Sequence, residues 1–339
     1  MKKKLFSTLN FLAFFMLGLT LLWLVFRKVD VGNVVQEIFK ANYWWILLSF
    51  FLGIISHLAR AMRWNILINS MGYKTRTKTT FYAVMVGYFA NLALPRLGEV
   101  SRCGMLSKRE NIPFDSLFGS VVAERVFDLI VLIIMMIFVI VFQLEIVGGF
   151  VNKLIFEPLL SKFSNNLYGI FMSLIALIVL IVAANILYKI FKVRLHQSNF
   201  YIKISKFFKG FLDGLKTIMK LKRRAAFLFF TLIIWGMYFL MTYVVFFSLE
   251  ATSHLTIIDG ITVLTLGSLG MVAPVPGGLG AYHFIVKATL FEIYKIPNEL
   301  AATWATLIHT SQSLMLIVVG IFSYFMLVGA QKIGDHAKN

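Results

Sequence analysis

The sequence predicts an all-α polytopic membrane protein with six full spans and two re-entrant broken hairpins. Of its 339 residues, 59% are hydrophobic and 14% are charged, which leaves too little polar surface to cover a soluble domain of this size. Several apolar runs also reach the roughly 20 residues that a helix needs to cross the hydrocarbon core. Two further runs are interrupted near their middle by Pro and Gly, which predicts the hairpins.

The six predicted spans are apolar runs of helical length. They are Leu9 to Phe26, Tyr43 to Asn69, Phe114 to Phe142, Asn166 to Tyr188, Ala225 to Leu249, and Asn298 to Val328. The first follows the basic start MKKK. We predict an uncleaved span there, because no small-x-small cleavage site precedes Arg27.

The two broken runs are Thr79 to Leu106 and Ile257 to Tyr294. Each is long enough to enter the membrane, turn at the break and leave on the same side. Irregular backbone at membrane depth is tolerated only where it is buried in protein or lines a wet cavity. We therefore expect both hairpins to lie inside the protein.

Membrane topology explains the formal charge of +18. With the N-terminus inside, the inner segments hold 23 of the 33 basic residues, including five from Arg60 to Lys78 and 11 from Lys189 to Arg224, and the outer segments hold seven. This bias satisfies the positive-inside rule, so it needs no nucleic-acid partner. We expect both termini in the cytoplasm and an interfacial helix at about residues 200–222.

Motifs for catalysis, cofactors and metals are not found in the sequence. It has no P-loop, no HExxH and no GxSxG, and the single Cys103 excludes an intrachain disulfide. We expect no cofactor, no metal and no enzymatic activity.

Six charged residues at membrane depth form the first part of the candidate site. They are Arg96, Glu99 and Arg102 in the first broken run, and Glu124, Arg125 and Asp128 in the span from Phe114. Facing lipid, each costs about 2.5–3.5 kcal/mol on insertion scales, so we expect them to face one another or water. Glu124 and Asp128 are four residues apart and share a helix face.

Two explanations of these charges remain open. The first is that ion pairs only lock two helices together. The second is a midplane cavity in which arginines and half-helix ends bind an anionic headgroup. Buried ion pairs stabilise weakly compared with apolar packing, which favours the cavity.

The chain also repeats its own pattern. PRLGEV followed by IPFDSLFGSVVAERV parallels PVPGGLGAY followed by IPNELAATWATLIHT. Each unit reads as span, broken hairpin, span, over about residues 43–143 and 225–330, and Arg125 and His309 occupy equivalent positions. An odd number of crossings separates equivalent points, which predicts an inverted-topology repeat as in many secondary transporters. The alternative is two unrelated Pro/Gly kinks.

Three stretches, LPRLGEVSRCGML, SVVAERVFDLI and VAPVPGGLGAYHF, resemble the flippase-like family named for the transmembrane region of lysylphosphatidylglycerol synthase. The resemblance covers nearly the whole chain. It implies re-entrant helices and a role in moving lipids, including aminoacylated and glycosylated ones, between leaflets. The soluble aminoacyl-transferase domain of the synthase has no counterpart here. We therefore expect that the protein does not make lysyl-lipid by itself, and that it lies in a bacterial or archaeal cytoplasmic membrane.

The resemblance also implies which residues belong to the substrate site. The matching positions are Pro95, Gly98, Glu99, Arg102, Glu124, Arg125, Asp128, Pro276, Gly277, Gly278 and Gly280. Two positions depart from the family pattern, because His283 stands where an acid is common and His309 stands where Arg is common. With the neighbouring Tyr282, these histidines complete the candidate site and predict headgroup binding that responds to protonation.

Three classes of function follow from these observations. The first is a lipid flippase, with a membrane lipid as its substrate. The second is a membrane-embedded headgroup transferase, which is disfavoured because acids paired with Arg are poor general bases. The third is a non-transporting subunit that anchors a separate lipid-modifying enzyme.

Overall fold

The computed structural model describes residues 2–143 and 221–336, with side chains described for residues 12–143 and 221–329. Within these ranges the chain forms ten α-helices and no strand. The helices are α1 (Lys2–Phe26), α2 (Val31–Lys40), α3 (Tyr43–Ser70), α4 (Thr77–Ala93), α5 (Leu97–Glu110), α6 (Phe114–Phe142), α7 (Arg224–Phe246), α8 (Ile257–Val272), α9 (Ala281–Ala288) and α10 (Asn298–His336). The prediction of an all-α membrane protein is confirmed.

Four described helices, α3, α6, α7 and α10, are long and apolar enough to cross a membrane. They correspond to four of the predicted spans. The first predicted span coincides with α1, which bends by 85° into α2, and together these two helices make a fifth candidate. Helix α2 was not predicted, because residues 27–40 were assigned to an outer loop. The prediction at Asn166 to Tyr188 lies outside the described residues.

Other predictions also concern chain that the structure does not describe. The basic segment Lys189 to Arg224, apart from its last residues, and the interfacial helix at about residues 200–222 are among them. The described helices belong to one compact unit formed by residues 1–142 and 219–339, and residues 143–218 are a separate unit.

Short polar residues begin several helices. The Asp30 carboxylate accepts the backbone N–H groups of Gly32 and Asn33 at the start of α2, and the Asn42 side chain accepts the N–H of Trp44 at the start of α3. Thr256 and Asp259 form a capping box that begins α8. These side chains satisfy N–H groups that have no partner within the helix.

Each of the two broken runs forms a pair of short helices. Helices α4 and α5 form the first hairpin, and α8 and α9 form the second. Their helices contain 17, 14, 16 and 8 residues, all shorter than the roughly 20 residues of a full span. A π-helical turn, Thr289–Ile293, follows α9.

The turn of the first hairpin is built around Pro95 and Arg96. The N–H of Leu97 donates to the carbonyl of Leu94 at 3.2 Å, and Arg96 has a left-handed backbone with φ of 65°. A type II turn requires this conformation at its third residue and favours proline at its second. The sequence LPRL therefore turns the chain before α5 begins.

Glycines allow the two helices of each hairpin to approach closely. In the first hairpin, Gly98 packs against Gly87, and its N–H donates to the Asn91 side chain at 2.7 Å. In the second hairpin, a Cβ at Gly270 would lie 2.8 Å from the Cα of Tyr282, a distance that leaves no room for a side chain. Both contacts therefore require glycine.

The two halves of the predicted repeat, α3 to α6 and α7 to α10, are here called the repeat units, and their packing is reciprocal. Helix α3 packs along α7, the corresponding first span of the other unit. Helix α4 packs against α10, and its counterpart α8 packs against α6. Each hairpin thus contacts the last span of the other unit. This arrangement brings α3, α5, α6 and α7 around one group of charged side chains.

Candidate functional site

Seven charged side chains from α3, α5 and α6 form one connected group of ion pairs, here called the charged cluster. Its members are Arg60 and Arg63 on α3, Glu99 and Arg102 on α5, and Glu124, Arg125 and Asp128 on α6. Within each helix the members are one, three or four residues apart, so they cover one side of the helix. The cluster contains five of the six charged residues predicted at membrane depth.

The two α3 arginines bind the α6 carboxylates tightly. Arg60 Nη1 lies 2.5 Å from Glu124 Oε1 and 2.7 Å from Asp128 Oδ2. Arg63 Nη2 lies 2.7 Å from Asp128 Oδ1 and 3.4 Å from Glu124 Oε1. We call these four residues the arginine clasp. Its hydrogen bonds are short and charge-assisted, which makes them strong and directional.

The clasp also reaches α7. Arg60 donates to the Tyr238 hydroxyl at 3.2 Å, and Arg63 donates to the Thr231 hydroxyl at 3.1 Å. The terminal guanidinium nitrogens of these two arginines therefore connect α3 to both α6 and α7 by hydrogen bonds. The Nε atoms of both arginines and Oε2 of Glu124 have no hydrogen-bond partner among the described residues.

Arg102 differs from the clasp arginines. Its nearest carboxylate oxygen, Glu124 Oε1, is 3.6 Å away, which is beyond hydrogen-bond distance. Arg102 is only 2% exposed, and none of its three side-chain nitrogens has a hydrogen-bond acceptor among the described residues. Its guanidinium carbon lies 4.8 Å from the ring centroid of Trp64. The ring positions the guanidinium plane and leaves its N–H donors unused.

Arg125 and Glu99 form the accessible edge of the cluster. Arg125 Nε lies 3.4 Å from Glu99 Oε1, and the Arg125 side chain is 39% exposed. Neither Arg125 Nε nor Glu99 Oε2 has a hydrogen-bond partner in the described part of the chain. This pair is therefore looser than the clasp.

The cluster carries an excess of positive charge. Four arginines meet three carboxylates. The single charge of Glu124 is shared among Arg60, Arg63 and Arg102, each within 4 Å of its Oε1 atom. Burial of an uncompensated charge is costly, so this balance favours an additional anion.

Arg96 does not lie among the other charged residues that were predicted at membrane depth. It was expected to face the other charges, but it lies exposed in the turn of the first hairpin. No ion pair or hydrogen bond joins its side chain to any other residue that the structure describes. The left-handed backbone at Arg96 ends the turn, and α5 begins at the next residue. This helix then brings Glu99 and Arg102 into the cluster.

Arg60 and Arg63 were missed as site residues. They were counted among the inner-loop cations, and their position in α3 removes two residues from the 23 that support the topology. The signal that finds them is their spacing of three residues inside the predicted span Tyr43 to Asn69. Charges with that spacing within a span predict a shared, buried face.

The second predicted set assembles around the turn of the second hairpin and is here called the histidine group. Its members are Pro276, Gly277, Gly278, Gly280, Tyr282, His283 and His309. His309 Nε2 lies 2.8 Å from the carbonyl oxygen of Gly277. Because a carbonyl only accepts, His309 donates this bond. The ring centroid of His309 is 4.5 Å from that of His283 and 5.5 Å from that of Tyr282.

The glycine-rich turn explains how these residues meet. Gly277, Gly278 and Gly280 all have positive φ, which other residues adopt at a cost. Gly280 also packs directly on the backbone of Gly18 in α1. The histidine group is thus held between α1 and α10.

The two groups of residues are separate in their contacts. No hydrogen bond or ion pair links the histidine group to the charged cluster within residues 12–143 and 221–329. His283 is buried, and its Nδ1 has no partner among those residues. The expected response of headgroup binding to protonation of these histidines stays a prediction.

A groove of about 810 Å³ lies between the end of α2, the start of α3 and the middle of α10. Its walls are mostly apolar and include Trp44, Phe50 and Leu314, and no member of the charged cluster lines it.

The fold and the charged cluster together define a helical membrane protein that buries ionised side chains between its candidate spans. The chain belongs to the family described as the lysylphosphatidylglycerol synthase TM region, which it matches over residues 10–320. The match includes every member of both groups of residues.

Three relatives illustrate this membership. The UPF0104 membrane protein MJ1595 of Methanocaldococcus jannaschii is 24% identical over 310 residues, 89% of this chain and 90% of that protein. The UPF0104 membrane protein PH1989 of Pyrococcus horikoshii is 24% identical over 301 residues, 85% and 88% of the two chains. The glycosyltransferase AglD of Haloferax volcanii is 27% identical over 103 residues, 30% of this chain and 16% of that protein. No solved structure matches the chain.

Proposed function

We propose that the protein is a lipid translocase, which moves a lipid with an anionic, aminoacylated or glycosylated headgroup between the two leaflets of the membrane. The observation that carries this proposal is the charged cluster, because it combines a clasp with short ion pairs and an arginine whose side chain has no hydrogen-bond partner among the described residues. The polar headgroup of a lipid needs such a site to cross the hydrocarbon core.

A purely structural role explains the cluster less well. Buried ion pairs stabilise a fold no better than apolar packing, and charged residues within spans are costly and commonly mark functional sites. The clasp accounts for Arg60 and Arg63. It does not account for Arg102, which is buried without completing a single hydrogen bond to the described residues.

The reciprocal packing of the two units supports an inverted-topology repeat. In transporters of that kind, broken helices from the two repeats form the binding region, and one repeat moves against the other. Here the first hairpin supplies Glu99 and Arg102 to the cluster, and the second supplies Tyr282 and His283 to the histidine group. We place the protein in the cytoplasmic membrane with both termini inside, following the basic residues of the chain.

The proposal assigns binding, and not catalysis, to the carboxylates. Glu124 and Asp128 are each held by the two clasp arginines, so neither is available as a general base. The relative named as a glycosyltransferase shares only 16% of its own length with this chain. These observations favour a binding role over a transferase activity.

The test is lipid scrambling by the purified full chain in liposomes. Fluorescent lipids with different headgroups are added, and a membrane-impermeant quencher reports how much probe remains protected inside. We expect the wild type to lower the protected fraction and Arg102→Gln to abolish the effect. Arg109→Gln, which removes a cation from the same helix outside the cluster, is the matched control. Equal protection in empty and protein-containing liposomes for every headgroup contradicts the proposal and favours the non-transporting subunit.

A further inference from the structure

The four arginines of the charged cluster differ in how many of their donors are used. The terminal nitrogens of Arg60 and Arg63 make hydrogen bonds of 2.5–3.2 Å to carboxylates and hydroxyl groups. The Nε atoms of Arg60, Arg63 and Arg125 have no hydrogen-bond partner among the described residues, and in Arg102 all three side-chain nitrogens have none. Arg125 has only longer contacts, 3.4 Å to Glu99 and 3.8 Å to Asp128. Two of the four guanidinium groups therefore remain able to bind a ligand.

Within the described residues, no acceptor makes a hydrogen bond to the Arg102 side chain. The nearest carboxylate, that of Glu124, lies 3.6 Å away at Oε1, and its Oε2 also has no hydrogen-bond partner. Trp64 covers a face of the guanidinium group, and Trp64 Nε1 itself donates to Ser120 at 2.8 Å. Gly87 packs against the aliphatic part of the Arg102 side chain, with a Cβ position only 3.1 Å from Arg102 Cβ. The guanidinium edge is thus held in one orientation, and its N–H groups form a planar fork.

The charge balance identifies the sign of the ligand. The cluster has four cations and three anions, and Arg102 contacts Glu124, the residue that precedes Arg125 in the chain. Mutual repulsion between Arg102 and Arg125 is relieved by one negative charge placed between them. A phosphodiester carries one such charge and presents two oxygens to a guanidinium fork.

From these observations we infer that Arg102 and Arg125 bind the phosphate of an anionic phosphodiester headgroup, with Glu99 as its competitor for Arg125. This inference rests on the proposed function, because it names the lipid class that the translocase accepts. The loose contact between Glu99 and Arg125, 3.4 Å long and partly exposed, is a weak pair that a ligand can replace.

The same charge balance predicts which lipid headgroups bind most tightly. Phosphatidylglycerol brings one negative charge and neutralises the cluster. A lysyl ester of that lipid adds two positive charges beside Arg125, and a neutral glycolipid brings no charge. Phosphatidylglycerol is therefore the preferred class, ahead of both the aminoacylated and the uncharged lipid.

The test is binding of three defined lipids to the purified full chain, measured by native mass spectrometry. The probes are phosphatidylglycerol, its lysyl ester and digalactosyldiacylglycerol. We expect the wild type to bind phosphatidylglycerol about tenfold or more tightly than the neutral glycolipid, the effect of one charge-assisted contact. Arg102→Gln removes this preference, Arg102→Lys keeps part of it, and Arg109→Gln leaves it unchanged.

Two further variants decide the matter if Arg102→Gln does not fold. Arg125→Gln and Glu99→Gln change the accessible edge and leave the clasp intact. We expect Arg125→Gln to weaken binding of phosphatidylglycerol and Glu99→Gln to strengthen it, because Glu99 no longer competes. Unchanged affinity in both variants overturns the inference. So does equal binding of phosphatidylglycerol and the glycolipid by the wild type.

Competition by inorganic phosphate and lipid scrambling distinguish failure of the inference from failure of the proposed function. If inorganic phosphate at millimolar concentration displaces phosphatidylglycerol through Arg102, the anion is free phosphate and the lipid assignment is overturned. Scrambling of the neutral glycolipid as fast as phosphatidylglycerol overturns the inference and leaves the translocase proposal standing. Arg102-dependent binding without any scrambling supports the inference and contradicts the translocase.

Discussion

Arg63 donates to Asp128 at 2.7 Å across the contact between α3 and α6, although 65 residues separate them in the chain. The Arg63 side chain is fully buried, so this bond has no competition from water. It belongs to a clasp that joins α3 to α6, and α6 also carries Arg125, which we propose to bind the ligand. Stability and binding are therefore assigned to different arginines of one cluster.

Removing Arg63 is expected to cost more stability than removing Arg102. Arg63→Gln leaves Asp128 and Glu124 buried with fewer partners, a loss of about 3–5 kcal/mol for a broken buried pair. Arg102→Gln removes a cation that makes no hydrogen bond to the described residues. Thermal unfolding of the purified variants in detergent measures the difference, with Arg109→Gln as reference. Equal melting temperatures for Arg63→Gln and Arg102→Gln contradict this division of roles.

Exchanging the two residues of the accessible pair is expected to keep the fold and lose transport. In the double variant Glu99→Arg with Arg125→Glu the pair can still form, but the 3.8 Å contact between Arg125 and Asp128 becomes a pair of like charges. We therefore expect a small fall in melting temperature, no larger than that of Arg125→Glu alone. The phosphate then meets a carboxylate at position 125, and scrambling of phosphatidylglycerol falls to the level of empty liposomes. Full transport by this variant shows that the pair only joins α5 to α6.

Glycine at position 98 is expected to be essential for the first hairpin. In Gly98→Ala the new Cβ collides with the backbone of Gly87 and the side chain of Asn91, which costs about 1–3 kcal/mol by overpacking. Gly104→Ala, six residues later on the same helix, meets no atom within 4 Å and gains about 0.5–1 kcal/mol in helix propensity. Melting temperatures measured side by side check this. The prediction fails if Gly104→Ala is the more damaging change.

The His309 side chain is expected to hold the turn of the second hairpin through one hydrogen bond. His309→Leu leaves the Gly277 carbonyl without its donor, a loss of about 1–3 kcal/mol for a buried group. His309→Gln keeps an N–H donor and is expected to retain most of the stability. If Leu and Gln at position 309 give the same melting temperature, the bond of 2.8 Å has no structural role.

The topology is expected to place Lys206 inside and Lys40 outside. The segment Lys189 to Arg224 contains 11 basic residues and the single acid Asp213, which favours the cytoplasm. The native Cys103 is buried, so labelling reports introduced cysteines. In intact cells an impermeant thiol reagent should modify Lys40→Cys, whose side chain is 66% exposed, but not Lys206→Cys. Labelling of Lys206→Cys from outside reverses the assigned orientation.

The class and most helices were predictable from local sequence. Long apolar runs can be stable only as membrane helices, so α3, α6, α7 and α10 follow from composition and length alone. The breaks at Pro95 and at Gly277 were predictable for the same reason, since both residue types interrupt helices through their own backbone geometry. The amphipathic helix α2 was missed because its polar side chains resembled a loop.

The partners of the cluster were only partly predictable. Spacing on α6 placed Glu124 and Asp128 on one face, but spacing does not say which cations face them. Arg60 and Arg63 reach these acids because α3 packs beside α6 and α7, a contact between distant parts of the chain. Arg96 was expected in the cluster on proximity in sequence, and the left-handed turn at that residue directs its side chain elsewhere.

The sequence by itself determined that this chain is an all-helical membrane protein, where its described spans and breaks lie, and which acids need buried partners. These properties depend on hydrophobicity and local backbone preferences, which act over a few residues. Only the tertiary structure decided that Arg60 and Arg63 satisfy those acids, that Arg102 is left with unused donors, and that the histidines assemble as a separate group. Such choices depend on distances of a few ångströms between helices that are remote in the chain, and no local pattern encodes them.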